Sequence, residues 1–249
     1  MSLSLRLEEV EVALGGRTIV AVESLALEGP AWIGMIGANG SGKTTLLRAL
    51  AGRLPLAAGG IAIDGHARGG DRFARALEIG FAPEIAALPS ELTGRDLLSL
   101  VARPRAAAID DPLLAPLCAA LGLDAFWHRR VGTRSAGMRQ RLAVYAAFVG
   151  GQRIVILDEP FNWLDPVSSF DARRAIADLA RRSHLVVTAL HDIATFIHQC
   201  DSGYLLSGGR VALALDAAAI SRGRDDFPAF EQQLIARLRP PPPAIRSRS

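Results

Sequence analysis

The chain has 249 residues, of which half are hydrophobic and 21% are charged, a balance that excludes a disordered or low-complexity protein. The formal net charge is +3, and only one of the 28 basic residues, Lys43, is a lysine. The arginines are interleaved with acids, which favours solvated faces over a nucleic-acid track, so we expect no nucleic-acid partner.

Cysteine content and hydropathy indicate in which cellular compartment the chain is expected. Cys118 and Cys200 are far apart in the sequence, which is typical of a reducing compartment rather than of a disulfide framework. Residues 1–14 alternate between apolar and polar side chains instead of forming a basic-then-apolar leader. The longest apolar run, residues 142–150, falls short of the ~18 residues that a membrane helix needs. We therefore expect a soluble chain that serves any membrane through a partner.

The first part of the chain is predicted to consist mainly of strands, because its apolar residues alternate or form short runs. An uninterrupted apolar run such as residues 31–36 is typical of a parallel strand buried on both faces. The predicted elements, in order, are strands over residues 3–14, 18–27 and 31–36, a glycine-rich loop over 37–42, a helix over 43–53, and strands over 61–65 and 79–83.

The pattern changes near residue 84, where leucines at helical spacing predict an inserted helical segment over about 85–149. Strands that alternate with helices predict a parallel sheet around this insert. The later predicted elements are a strand over 154–157, a helix over 165–182, a strand over 185–190 and a hairpin over 204–212. The pattern weakens beyond about residue 216 and ends in a Pro-rich, basic tail.

Residues 37–44 fit the phosphate-loop pattern G-x-x-x-x-G-K-[ST], with a buried strand before them and a helix after them. Glycines let backbone N–H groups converge on phosphate oxygens, and the helix N-terminus favours negative charge. Lys43 supplies a mobile charge for the β- and γ-phosphates, and the Thr44 hydroxyl can ligate Mg²⁺. The candidate nucleotide-binding residues here are Gly37, Ala38, Asn39, Gly40, Ser41, Gly42, Lys43, Thr44 and Thr45.

Two carboxylates, Asp158 and Glu159, end the apolar strand over 154–157. Sites in parallel sheets lie at the carboxyl ends of the strands, which would place both acids near the phosphate loop. Asp158 is predicted to hold Mg²⁺ through water, and Glu159 to polarise the attacking water. The two acids and Lys43 therefore predict a nucleotide hydrolase.

A segment upstream of the acidic strand narrows this choice. Residues 134–142 read RSAGMRQRL, which resembles the LSGGQRQR[VL] signature of ABC ATPases, the nucleotide-binding subunits of ABC transporters. Residues 162–165 resemble the D-loop of that family, His191 matches its switch histidine, and residues 82–84 match a loop that usually carries glutamine. The resemblance covers about residues 3–215.

The resemblance implies a fold and a mode of assembly. The fold is α/β, a P-loop NTPase parallel-sheet core with an N-terminal antiparallel β subdomain and an inserted helical subdomain, which gives an ABC ATPase domain over 1–215 and a C-terminal extension over 216–249. Two subunits, as a homodimer or a heterodimer, would sandwich two ATP molecules head to tail. They would drive a separate transmembrane permease subunit from the cytoplasmic face of the inner membrane.

Residue roles follow from the same resemblance. Ser135 and Gly137 would touch the γ-phosphate that the partner chain binds, and His191 would hold Glu159 and the water in line. Glu84 stands where the family usually has glutamine, and a carboxylate there can still ligate Mg²⁺. Leu14 occupies the approximate place of the aromatic residue that stacks on adenine, so weaker aliphatic contact would replace stacking.

We therefore expect a cytoplasmic ATPase subunit of an ABC transporter, with ATP and Mg²⁺ as cofactors. Residues 92–97, which read LTGRDL, look like exporter-type subunits, so export is favoured over import. Arg134, Ala136 and Met138 depart from the family's signature. Two alternatives remain: a non-transport ABC ATPase, and a module that binds ATP with weak or no hydrolysis.

Overall fold

The computed structural model describes residues 3–238 of the chain. Its strands are β1 (Leu3–Leu14), β2 (Arg17–Gly29), β3 (Ala31–Ile36), β4 (Ala58–Ile63), β5 (His66–Ala67), β6 (Ile79–Phe81), β7 (Ile154–Asp158), β8 (Leu185–Leu190), β9 (Ser202–Ser207) and β10 (Arg210–Leu215). Its helices are α1 (Lys43–Leu50), α2 (Arg72–Glu78), α3 (Gly94–Ala102), α4 (Ala115–Ala120), α5 (Ala136–Ala146), α6 (Pro166–Arg182), α7 (Ile193–Gln199), α8 (Ala217–Asp225) and α9 (Phe227–Leu238). Single 3₁₀ turns cover Ile85–Ala87, Arg103–Arg105, Pro112–Leu114, Leu123–Ala125 and Val131–Thr133.

The strands form two sheets. The first has the order β2-β1-β4-β5 and is antiparallel throughout. The second has the order β10-β9-β3-β8-β7-β6, and its neighbours are parallel except for the hairpin of β9 and β10. The predicted N-terminal antiparallel unit, the parallel core and the helices between β6 and β7 are therefore all present.

Both faces of the second sheet are buried, which explains the apolar runs of its strands. Along β3, Trp32 and Ile36 face a core shared with α5, α6 and α7, whereas Ile33 and Met35 face a core shared with the antiparallel sheet and α1. Helix α1 contributes Leu46, Leu47 and Leu50 to that second core, all fully buried. This packing fixes the helix that follows the phosphate loop.

The sequence pattern missed the helices α2, α7, α8 and α9. The first two are only seven residues long, too short to show a helical period. The last two lie beyond residue 216, yet Ile220 and Leu234 are buried in the same core as β3 and α6. The domain boundary at residue 215 stays a prediction, and the Pro-rich tail at 239–249 lies outside the described residues. None of the helices between residues 3 and 238 has the length and hydrophobicity that a membrane crossing requires.

Gly80 in the edge strand β6 allows the helical segment to approach the sheet. A Cβ atom at Gly80 would lie 1.9 Å from the carbonyl oxygen of Ala147, directly after α5. Because that neighbour is backbone, we expect Gly80→Ala to lower the free energy of unfolding by about 1–3 kcal/mol in urea denaturation. Gly60→Ala is the matched control, since a Cβ there would meet open space in β4. Equal stability of the two variants would contradict this close packing.

Candidate functional site

Four neighbouring strands of the second sheet deliver the predicted site residues to one edge. The strands β3, β8, β7 and β6 are adjacent and parallel, so their carboxyl ends lie side by side. They lead into the phosphate loop, His191, the Asp158-Glu159 pair and Glu84, respectively. Such an edge is where ligands bind in open α/β sheets.

The phosphate loop takes its shape from glycines at positions where another residue would be strained or would clash. Gly40 and Gly42 have φ angles of 78° and 100°, in the left-handed region. A Cβ at Gly37 would lie 2.4 Å from the carbonyl oxygen of Leu206. No side chain caps α1 at Gly42, so the first N–H groups of the helix remain free to bind phosphate oxygens.

Lys43 is folded back onto the loop. Its Nζ donates hydrogen bonds to the carbonyl oxygens of Gly37 and Ala38, at 2.7 and 3.2 Å. Burial lowers the pKa of Lys43, while the charges of Glu159 and Asp158 act in the opposite direction. The ammonium is thus held over a cavity of about 420 Å³ lined by the loop, Glu159 and His191.

Asp158 and Thr44 form a pair that suits a divalent cation. Burial raises the pKa of Asp158, and the hydrogen bond that Thr44 donates opposes the rise. Asp158 Oδ1 is buried and has no hydrogen-bond partner within residues 3–238. A buried carboxylate oxygen without a partner beside a threonine hydroxyl fits Mg²⁺. No cluster of three or more His, Cys, Asp or Glu in that range could hold a metal alone, so phosphate oxygens would have to complete its shell.

Glu159 is held at both carboxylate oxygens. Its Oε1 lies 2.5 Å from Nε2 of His191, and its Oε2 accepts a hydrogen bond of 2.8 Å from Asn162 Nδ2. Its backbone is in the left-handed region, with a φ of 49°, and its N–H donates to the carbonyl oxygen of Ala189 at the end of β8. The strained turn and the two side-chain contacts aim this carboxylate at the cavity.

The helix α5, which carries the signature, packs closely against the segment after β7. Ser135 caps the helix by accepting a hydrogen bond of 3.2 Å from the N–H of Met138. A Cβ at Gly137 would lie 2.6 Å from the carbonyl oxygen of Trp163, so only glycine fits there. Gln140, which is buried, donates a hydrogen bond of 3.2 Å to the carbonyl oxygen of Pro160.

Asp165 provides a further contact between α5 and the segment after β7. It caps α6 by accepting hydrogen bonds from the N–H groups of Val167 and Ser168, and it accepts a bond of 2.7 Å from Arg141 of α5. The hydrogen bonds from Ser168, its hydroxyl first, lower the pKa of Asp165 to about 2. The carboxylate therefore keeps its charge at neutral pH and ties the signature helix to α6.

The structure brings only some of the predicted residues together. Lys43, Thr44, Glu159 and His191 line one cavity. The other predicted residues outside this lining are Gly37, Ala38, Asp158, Ser135, Gly137, Leu14 and Glu84. The structure places Leu14 at the end of β1 with 43% of its surface exposed, while Ile19 of β2 lines the cavity instead. The roles of all the predicted site residues, inside and outside this cavity, stay predictions.

Three residues in or beside the site could not be predicted from the sequence. Asn162 was interpreted only as part of the D-loop, although it binds Glu159. Ile19 is one of several apolar residues in a strand and carries no distinguishing pattern. Arg48 pairs with Glu84 across 36 positions of the chain, a contact that no local pattern predicts.

The LTGRDL segment has a structural explanation. Thr93 and Asp96 form a capping box at the start of α3, in which each side chain accepts a hydrogen bond from the other residue's N–H. Gly94 lies against Trp127, where a Cβ would be 3.0 Å from the Trp127 backbone. These residues therefore form the start of a helix. Such a cap does not depend on the direction of transport.

Comparison with known proteins places the chain among transporter subunits. The family model described as "ABC transporter" matches residues 23–162. The hemin import ATP-binding protein HmuV of Pseudomonas fluorescens (strain Pf0-1) is 32% identical over 222 residues, which cover 85% of this chain and 86% of the relative. The Fe(3+) ions import ATP-binding protein FbpC 2 of Rhodococcus jostii (strain RHA1) is 32% identical over 218 residues, covering 85% of this chain and 62% of that protein.

A solved structure of the ATP-binding subunit of an ABC transporter superimposes with a TM-score of 0.82 at 23% identity, covering 94% of this chain and 98% of the other. This similarity confirms the predicted fold class. The preference for export is not supported: both relatives described above are named for import, and the segment on which that preference rested serves to cap α3.

Proposed function

Because the chain belongs to the ABC transporter family of ATP-binding subunits, we propose that it hydrolyses ATP to drive import through separate membrane subunits. ATP-binding subunits of this family are ATPases, so the predicted family and activity are both confirmed. The single observation that supports the residue roles is the Glu159–His191 contact beside the phosphate-loop cavity. Hemin and ferric ion, the cargoes in the relatives' names, make iron-bearing solutes the first cargo class to test.

In the proposed mechanism, the phosphate loop binds and orients the nucleotide before the chemistry. Its backbone N–H groups contact the phosphates, and Lys43 exchanges its two carbonyl partners for phosphate oxygens. Thr44 and Asp158 would hold Mg²⁺, which supplies positive charge to the phosphates during transfer. Ile19 would lie against the base, with aliphatic contact in place of stacking.

Glu159 acts as the general base in this proposal. Asn162 and the Nε2–H tautomer of His191 each donate to one carboxylate oxygen, which leaves each oxygen a second lone pair. One of these lone pairs accepts a proton from the water whose oxygen attacks the γ-phosphorus, while the bond from that phosphorus to the bridging oxygen breaks and ADP leaves. The two donors fix the carboxylate's orientation, so the water is held in line without further rearrangement.

The site requires a second ATP-binding subunit. Ser135, which is exposed, and Gly137, which is half-buried, lie at the start of α5, outside the cavity of their own chain. The N-terminus of this helix of 11 residues is suited to bind a phosphate that another copy presents. We therefore expect ATP to join two subunits head to tail, and hydrolysis to release them.

A groove beside the edge strand β6 is suited to the membrane subunit. It has a volume of about 370 Å³ and is bordered by Phe73 of α2 and Leu100 of α3, which are 74% and 52% exposed. Arg53 and Arg105 line it, and its lining contains no acid. Burial and the charge of Arg53 lower the pKa of Arg105. With two arginines and no acid in its lining, the groove is positively charged. The partner that fits is a cytoplasmic permease helix with apolar and acidic side chains, which would hold the chain at the membrane's cytoplasmic face.

We expect Phe73→Asp to abolish stimulation of the ATPase by the permease while ATP binding is retained, because an acid in the groove would repel the acidic helix and remove apolar contact. Phosphate release is measured for the chain alone and with a permease encoded beside its gene, in proteoliposomes. Ile235→Asp on α9 is the control, since Ile235 is also an exposed hydrophobic residue but lies outside the groove. Full stimulation of the Phe73→Asp chain would exclude this groove as the docking surface.

The same proteoliposomes test the proposed direction. With hemin enclosed and the ATPase subunit on the outside, import moves hemin toward the side that holds the ATPase, so added ATP should release it. Uptake from the outside would instead mean export. Tight ATP binding without phosphate release, with or without permease, would favour the alternative of a non-hydrolysing module.

A further inference from the structure

Arg48 and Glu84 form an ion pair beside the nucleotide site, and neither belongs to the cavity lining. Arg48 lies in α1 one turn after Thr44, so the two side chains share a face of that helix. Glu84 follows β6 and precedes the 3₁₀ turn Ile85–Ala87. The guanidinium Nη2 of Arg48 contacts Oε1 of Glu84.

The pair stands in a part of the site that is rich in carboxylates. β6 and β7 are parallel neighbours, so Glu84 enters from the strand beside the one that ends in Asp158 and Glu159. Arg48 is close enough to Asp158 for its charge to act on that carboxyl. Lys43 and Arg48 therefore both act on acids at this edge of the sheet: Lys43 on Asp158 and Glu159, and Arg48 on Asp158 and Glu84.

We infer that Arg48 is a positioning residue that holds the Glu84 carboxylate against α1, away from the phosphates, until a divalent cation arrives. This rests on the proposed nucleotide site. A carboxylate without its counter-ion would repel the phosphates of metal-free ATP, whereas Mg²⁺ would attract the same carboxylate. The affinity for metal-free ATP should therefore depend on Arg48, because Arg48 neutralises the Glu84 carboxylate.

The inference is specific because Arg48 acts through Glu84 and not on the phosphates directly. In the chain with Glu84, Arg48→Ala frees an acid at the sheet edge that carries the phosphate loop, and binding of metal-free ATP should weaken about fivefold. In the chain that carries Glu84→Gln, no acid is freed, so Arg48→Ala should change that affinity less than about twofold. With Mg²⁺ present, both effects should shrink, since the cation offsets the freed charge.

The test measures ATP affinity by titration calorimetry in EDTA and again in excess Mg²⁺, for the wild type, Arg48→Ala, Glu84→Gln and the double variant. Arg48→Lys is the conservative control and should keep the wild-type affinity in both buffers, because it retains the positive charge. Thermal unfolding of each variant verifies that it is folded, and Arg48→Gln replaces any Arg48→Ala chain that is not.

The outcomes separate the inference from the function on which it rests. If Arg48→Ala weakens binding more in the wild-type background than in the Glu84→Gln background, in EDTA and less so in Mg²⁺, the inference is supported. An equal loss in both backgrounds would overturn it, since Arg48 would then act on phosphate by itself. No effect in either background would overturn it as well. Failure of the wild type to bind ATP in both buffers would overturn the nucleotide site and the inference together.

Discussion

A Glu159→Gln chain is expected to bind ATP normally and to lose turnover by a factor of about 10² to 10⁴, the usual contribution of a general base. The amide preserves the size of the side chain, and its oxygen can still accept a hydrogen bond from Asn162 or His191. It cannot accept the proton of the attacking water. Because ATP joins the subunits and hydrolysis separates them, the variant should accumulate as an ATP-bound dimer.

Phosphate release and size-exclusion chromatography with ATP measure the two effects together. Glu91→Gln is the matched control, since Glu91 is an exposed acid whose side chain is 83% accessible and which contacts Arg130 and the Ser90 hydroxyl, outside the phosphate-loop cavity. That control should hydrolyse ATP at the wild-type rate and should not accumulate as a dimer. Normal turnover in Glu159→Gln would show that another group takes the proton.

His191 should be coupled to Glu159 in this experiment because the two side chains are in contact at 2.5 Å. Residues that act as a unit have effects that do not add. Adding His191→Ala to Glu159→Gln should therefore lower turnover little further, although His191→Ala alone lowers it strongly. Multiplicative losses would mean that His191 acts on the phosphate independently of Glu159.

The parts of the site that follow from local sequence are those fixed by a short segment of chain. The phosphate loop could be predicted because its glycines, its lysine and the flanking strand and helix are contiguous, and the structure places them as expected. The acidic end of β7 and the histidine after β8 could be placed near that loop because parallel strands end on one edge. Strand periodicity and a general rule of parallel sheets were enough for this step.

Contacts between distant segments could not be predicted in the same way. The Arg48–Glu84 pair and the approach of Trp163 to Gly137 join segments that only the folded chain brings together. The helices α8 and α9 have weak periodicity, and burial of Ile220 and Leu234 against the core shows that they pack on it. The LTGRDL segment illustrates the opposite error, since a local capping box was interpreted as an indicator of transport direction.

A Gly137→Ala chain is expected to bind ATP with unchanged affinity and to lose turnover by about 10²-fold, the scale of loss that a displacement of about 1 Å can cause in a catalytic contact. Alanine is the better helix former by about 1 kcal/mol, so α5 alone would be stabilised by the change. The loss comes instead from the contact of the new Cβ with the carbonyl oxygen of Trp163, at 2.6 Å. One of the two segments must move.

The segment of Trp163 has little freedom to yield. Its backbone is already in the left-handed region at a φ of 68°, and Asp165, two residues later, is tied to α6 by its cap and to α5 by Arg141. The start of α5 should therefore shift, together with Ser135, away from the position that meets the partner's phosphate. Gly70→Ala is the control, since a Cβ there meets open space, and its turnover should stay normal.

Calorimetry and phosphate release on the same samples separate binding from turnover. Gly137 lies outside the cavity that the phosphate loop lines, so a folded variant should keep the ATP affinity of the single subunit. Loss of both binding and turnover would indicate damage to the whole fold rather than to the signature. Full turnover in Gly137→Ala would mean that the start of α5 can move without cost, and the proposed contact of Ser135 and Gly137 with a second subunit's ATP would then be wrong.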